Sequence, residues 1–191
     1  MKRSALPTVL LTGFEPFGGE ASNPSWDAVR VLQGVRIGGH RVETRCLPVA
    51  FGESLQQLHA AIAETHPDLV ICVGLAGGRT QLSLERVAIN IDDARIPDNA
   101  GAQPVDSPVV SDGPAAYFSA LPIKRLLVEL QRDGIPVEIS QTAGTYVCNH
   151  VFYGLMHELE NRRDASGGFI HIPYSPEQAS QHPGMACLPW R

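Results

Sequence analysis

Leu69-Val70-Ile71-Cys72-Val73-Gly74 is an unbroken apolar run of strand length, closed by a glycine. A strand with one wet face alternates apolar and polar residues. One that is apolar throughout is covered on both faces, as a central strand between two helical layers must be. Upstream, Thr8-Val9-Leu10-Leu11-Thr12-Gly13 repeats the pattern. Between the two runs, residues 42–47 predict a further strand that stops at Pro48. Leu55, Leu58 and Ile62 then recur at helical spacing until Pro67. Asn23-Pro24 has the chemistry of a helix start, with Asn as the cap and Pro in the first turn. Trp26, Val29 and either Val31 or Leu32 would supply that helix with its apolar face.

Downstream, Ile123, Leu126, Leu127 and Leu130 fit the i, i+3, i+4, i+7 template and predict a helix over 122–133. A strand at 137–140 follows, then a helix bearing Val151, Phe152, Leu155, Met156 and Leu159. The last strand is Phe169-Ile170-His171-Ile172, ended by Pro173. Leu82 and Leu84 alternate in one phase, and Val87, Ile89 and Ile91 in the other. The slip at Glu85-Arg86 predicts a bulge or bend between two short strands, read as a hairpin inserted near residues 82–92. Residues 93–116 are rich in Pro, Gly and Asp without a period, and loops of that length in a compact domain are often functional. Strands and helices otherwise alternate, which predicts a three-layer α/β/α sandwich with a mostly parallel mixed sheet, as one domain over residues 1–191.

Composition narrows the function. The 191 residues are 43% hydrophobic and 18% charged with a formal net charge of −5, which excludes a disordered chain. The 18 glycines and 15 prolines have no collagen period. Lysine and arginine do not cluster, so no nucleic-acid partner is expected. No apolar run reaches the ~18 residues that a membrane span requires. Met1-Lys2-Arg3 precedes an apolar stretch, but Pro7 and Thr8 interrupt it and no cleavage site follows. A cytoplasmic location with reduced thiols is therefore expected. Cys46, Cys72, Cys148 and Cys187 form no close pair, which argues against structural zinc.

In such a sheet, ligands sit beyond the carboxyl ends of the strands. Cys148 lies just after a strand, at the start of a helix whose free amides favour a thiolate or an oxyanion. Cys72, within an apolar strand, reads as a small hydrophobe. A thiol nucleophile needs a histidine. His171 lies near the carboxyl end of its strand, whereas His59, His66 and His157 fall on polar surfaces. His150, two residues along the helix, points away from Cys148. Glu85, Asp92, Asp93 and Asp98 are the carboxylates available to orient an imidazole, and spacing does not choose between them. The loops at 13–19 and 74–80 follow strands but match no phosphate-binding pattern. Two rivals to a thiol enzyme stay open on these residues: a phosphorylase-type sandwich using those loops, and a small-molecule binding domain in which Cys148 and His171 only fill space.

Taken together, several segments resemble the pyroglutamyl-peptidase I (pyrrolidone-carboxylate peptidase) cysteine peptidases. They are residues 10–19, Asn23-Pro24-Ser25-Trp26, Glu85-Arg86-Val87-Ala88-Ile89-Asn90, residues 93–99, residues 142–150 and Gly168-Phe169-Ile170-His171-Ile172-Pro173. They follow family order over nearly the whole chain. The resemblance implies a cysteine peptidase that removes an N-terminal pyroglutamyl residue from peptides through a thiol acyl-enzyme. It implies a triad of Cys148, His171 and Glu85, with Glu85 chosen by the motif alone. It places Arg95 near the oxyanion, and Phe14, Phe17, Asn23, Tyr146 and Val147 at the substrate pocket, although an N-cap role also accounts for Asn23. It implies pyroglutamylated peptides as partners, no metal or cofactor, and assembly as a homo-oligomer, a dimer or tetramer. Family members continue past residues 173–178 into a final long helix. Pro183 and Pro189 argue against one here, so the domain is expected to lack it.

Overall fold

The computed structural model describes residues 7–182 other than 161 and 163, together with 184, 186 and 187. In chain order its elements are β1 (Thr8–Phe14), α1 (Pro24–Arg30), β2 (Arg36–Ile37), β3 (His40–Leu47), α2 (Glu53–Thr65), β4 (Leu69–Leu75) and β5 (Leu82–Glu85). They continue with β6 (Val87–Ile89), β7 (Ala116–Phe118), α3 (Ile123–Arg132), β8 (Val137–Ser140), α4 (Val147–Leu159), β9 (Ser166–Ile172) and α5 (Pro176–Gln181). Among the described residues, seven strands form one sheet in the order β2-β3-β1-β4-β9-β5-β8. The apolar run at 69–74 is thus the middle strand, as its coverage on both faces requires. β3, β1, β4 and β9 run parallel, so their carboxyl ends share one edge.

Successive residues of a strand point to opposite faces, and β1 shows the layers. Phe14 joins the main core with Leu58 and Ile62 of α2 and Val151, Phe152 and Leu155 of α4. Gly13 faces the other way, where a Cβ would lie 2.6 Å from the Trp26 backbone of α1. Helix α1 therefore lies directly on the sheet, on the face opposite α2 and α4, and the three-layer α/β/α sandwich with a mostly parallel mixed sheet is present. Asn23 caps α1 through its side-chain oxygen, which accepts from Ser25 N at 3.0 Å, with Pro24 in the first turn. Val29 is buried beneath that helix, but the helix ends before Val31, which is exposed rather than part of its apolar face.

Two expectations need correction. Residues 82–92 are not a hairpin: the chain does bend after Glu85, but β5 and β6 enter different sheets. β5 lies between β9 (antiparallel) and β8 (parallel), while β6 pairs with β7 in a separate two-stranded sheet. Periodicity records the face that a residue buries, not the strand with which it pairs, so the phase slip was visible and its partners were not. The long loop is also shorter than expected, since β7 takes its last residue. Helix α3 has the predicted apolar stripe yet buries no residue fully, because it rests on the edge strand β8. Helix α5, capped by the Ser175 hydroxyl, was not anticipated. The expected lack of a final long helix concerns residues 183–191, which lie largely outside the described residues.

Candidate active site

The parallel register of β4 and β9 sets Gly74 beside His171. The antiparallel register of β9 and β5 sets Ser83 opposite His171, so Glu85 lies diagonally across on the same face. The outcome is a hydrogen bond from His171 Nδ1 to Glu85 Oε1 at 2.7 Å, across 86 residues of chain. Both side chains are buried, at 4% and 0% exposure. A carboxylate only accepts, so Nδ1 carries the proton and Nε2 is left as the acceptor. The same oxygen receives Arg79 Nη1 at 2.8 Å.

Cys148 enters from the helix layer above. Helix α4 starts at Val147 with no side-chain cap, its N-cap being Tyr146. The amides of its first turn therefore have no partner within the helix. Asn149 anchors this turn: its Nδ2 donates to Ile89 O and Ile91 O at 2.9 Å, and its Oδ1 accepts from Ile89 N at 3.0 Å. The Cys148 sulfur rests against Gly74, where a Cβ would come within 2.9 Å of Sγ. Cys148 and His171 both line one open cleft.

Charge is set by burial. Burial pushes the Cys148 thiol up to about 12, with Glu85 and Cys72 adding to the rise and Arg79 opposing it. Burial also holds the His171 imidazole below its ordinary 6.5, although the hydrogen bond and charge of Glu85 pull it back up. Burial would raise Glu85, but His171, Ser140 and Arg79 together outweigh it and hold the carboxyl below its ordinary 4.5. These shifts favour the uncharged thiol and the uncharged imidazole, with the carboxylate behind His171 ionised.

Two hollows meet at Cys148. One is a small, mainly apolar pocket lined by Phe14, Phe17, Asn23, Val49, Leu75, Tyr146 and Val147 as well as Cys148. The other is the larger cleft, which adds His171, Arg79, Asp93, Arg95 and the 142–145 loop. Pocket and cleft share Phe17, Leu75, Tyr146 and Cys148. Aromatic contacts stiffen the wall: Phe51 meets Tyr146 edge-on with ring centroids 5.5 Å apart. Tyr146 also donates its hydroxyl to Pro97 O at 3.1 Å.

The nine site residues that the resemblance implies thus belong to one region. Glu85 lies behind His171, and the other eight line the pocket or the cleft. Asn23 contributes a wall: its Nδ2 donates one hydrogen to Glu15 O at 2.9 Å, and its Oδ1 accepts from Ser25 N and Oγ. Arg95 is exposed on the cleft wall. His150 points away from Cys148, with Nδ1 donating to Asp92 Oδ2 at 2.8 Å and Nε2 accepting from Gly52 N at 3.0 Å. His157 is not simply solvated, since its Nδ1 pairs with the Tyr117 hydroxyl at 2.8 Å. Sequence reasoning missed Arg79, Val49, Leu75 and the space left by Gly74. Arg79 lies in the loop weighed only as a phosphate cradle, and its separation of six residues from Glu85 was the available signal. That loop is not an open cradle: a Cβ on Gly77 would strike the Tyr174 ring at 2.6 Å.

The comparisons with known proteins bear on family and fold. A sequence profile described as Pyroglutamyl peptidase matches residues 7–190. A pyrrolidone-carboxylate peptidase of Erwinia tasmaniensis is 64% identical over 180 residues, which are 94% of this chain and 84% of that protein. One from Escherichia fergusonii is 60% identical over 183 residues, 96% of this chain and 86% of the relative. The crystal structure of pyroglutamyl peptidase I from Bacillus amyloliquefaciens superposes with a TM-score of 0.93 at 52% identity, covering 96% of this chain and 87% of that one. The pyrrolidone carboxyl peptidase of Thermococcus litoralis gives 0.88 at 41%, covering 90% and 79%. Sequence and fold agree along nearly the entire length, and the chain belongs to the pyroglutamyl peptidase family.

Proposed function

We propose that this protein hydrolyses the amide bond joining an N-terminal pyroglutamyl residue to the rest of a peptide, with Cys148 as nucleophile, His171 as base and acid, and Glu85 as the group that orients His171. The observation that carries this reading is the position of Cys148, where a small apolar pocket meets the larger cleft that also holds His171. A pyroglutamyl ring has no charged α-amine, so it suits aromatic and aliphatic walls. Phe14, Phe17, Tyr146 and Val147 provide them, and the remaining peptide leaves through the cleft.

The thiol rests protonated, so attack and proton transfer are coupled. His171 Nε2 takes the Cys148 proton as sulfur bonds to the carbonyl carbon. The oxygen that becomes negative is met by the free amides at the start of α4, with Arg95 on the cleft wall. The imidazolium then gives its proton to the departing amine, leaving a thioester. A water molecule, deprotonated by His171, attacks the thioester, and the returning proton restores the thiol. Assembly into a dimer or tetramer and a cytoplasmic site of action come with the same family reading. Light scattering of the purified protein tests the first, and cell fractionation tests the second. Among the described residues no helix is long and apolar enough to cross a membrane.

The deciding experiment is hydrolysis of a fluorogenic pyroglutamyl amide by wild type and by Cys148→Ser. Cleavage by wild type alone is expected. Undiminished cleavage by the variant removes Cys148 from the mechanism, and no cleavage by either removes the substrate assignment.

A further inference from the structure

One oxygen, Glu85 Oε1, is shared by two donors. His171 Nδ1 reaches it at 2.7 Å from the neighbouring strand, and Arg79 Nη1 at 2.8 Å from the loop after β4. The reaction scheme uses only the first. Glu85 is fully buried, whereas the Arg79 side chain keeps 28% exposure and forms part of the cleft wall. A buried carboxylate with an imidazole as its sole partner has two poor options. It can hold the imidazole protonated, which disables the base, or take up a proton itself, which loses the orientation. A guanidinium is always charged and donates along a fixed direction. On the same oxygen it compensates the anion without titrating.

We propose that Arg79 is a positioning residue for the Cys148–His171 pair, acting through Glu85. It aims the oxygen that receives His171 Nδ1–H, and it takes up enough of the carboxylate's charge to leave the imidazole neutral between turnovers. The inference rests on the hydrolase reading above. The groups facing His171 are Glu85 from β5, Arg79 from the loop after β4, and Cys148 from α4. Their electrostatics agree: burial and Arg79 hold His171 down while Glu85 raises it. A neutral imidazole is what a protonated thiol needs, because the proton must pass from sulfur to nitrogen during attack.

The test compares wild type with Arg79→Gln, which removes the charge, and Arg79→Lys, which keeps it. His171 is titrated by nitrogen-15 NMR of its imidazole, and the acid limb of kcat/KM is followed with a pyroglutamyl amide. In Arg79→Gln the imidazole midpoint and the acid limb should both move to higher pH by roughly half a unit or more. Arg79→Lys should stay close to wild type on both measures. An unmoved His171 midpoint in Arg79→Gln overturns the proposal, and so does an equal shift in Arg79→Lys. Circular dichroism checks folding, and Arg79→Met supplies a second uncharged side chain of similar length. The titration needs no turnover, so a wild type that fails to cleave pyroglutamyl amides counts against the hydrolase reading and leaves this test intact.

Discussion

Gly74 and Cys148 touch, and their contact sets the height of the thiol above the sheet. A methyl group on Gly74 would sit 2.9 Å from Cys148 Sγ and 2.8 Å from the Phe169 ring. Gly74 is also the register partner of His171, so the strand that bears His171 has a bare neighbour where the sulfur descends. Gly74→Ala should therefore lift the thiol away from His171. A displacement of this kind costs on the order of a hundredfold in rate, and the overpacking about 1–3 kcal/mol of stability. Steady-state kinetics beside urea unfolding separates the two effects. A variant that retains the full rate would show that the sulfur position is set elsewhere.

Glu85→Gln preserves shape and removes charge. The imidazolium formed during turnover then loses its counter-ion while the Arg79 guanidinium remains close by. Loss of the orienting carboxylate in hydrolytic triads lowers the rate by up to about ten-thousandfold. Pre-steady-state measurement of acyl-enzyme formation should place the loss in the step that makes the thioester. A drop of less than threefold, on the order of ordinary surface substitutions, would leave Glu85 a structural residue.

Acid should weaken the fold in two stages. His171 lies below its ordinary 6.5 in the folded protein, so the unfolded chain binds that proton more readily. Its neutral form favours folding fully above 6.5, and this advantage is lost as pH falls from there towards the lower folded value. Glu85 lies below 4.5, so its contribution is complete above 4.5 and is lost as pH falls through its own folded value. Urea midpoints measured along a pH series should show the first decline disappear in His171→Gln. An identical series in that variant would contradict the assignment.

Phe14 and Phe17 both line the pocket, yet they differ in burial. Phe14 belongs to the main core, while Phe17 is partly buried at its rim. Phe14→Ala should cost about 3–5 kcal/mol in unfolding free energy. Phe17→Ala should leave the thermal midpoint nearly in place and raise KM for pyroglutamyl amides with a smaller change in kcat. Equal destabilisation by the two would erase the distinction between core and rim.

Much of this was legible from residues alone. The apolar run at 69–74, the Asn23-Pro24 cap and the stripe at Ile123, Leu126, Leu127 and Leu130 are local patterns, and β4, α1 and α3 appear where those patterns lie. Cys148 and His171 stood out for the same reason, since each follows from its place at a helix start or a strand end. Pairing is different. That β5 enters between β9 and β8 depends on which sheet edge is open when the chain bends after Glu85, and no local period encodes that choice. The choice brings Glu85 to His171 and, through one shared oxygen, brings Arg79 to both. Hydrophobic periodicity by itself determined the layers, and place at a helix start and a strand end made Cys148 and His171 candidates. The family motif named Glu85; only the tertiary structure decided how it reaches His171 and which cation shares its oxygen, because those contacts join segments that meet only once the sheet is assembled.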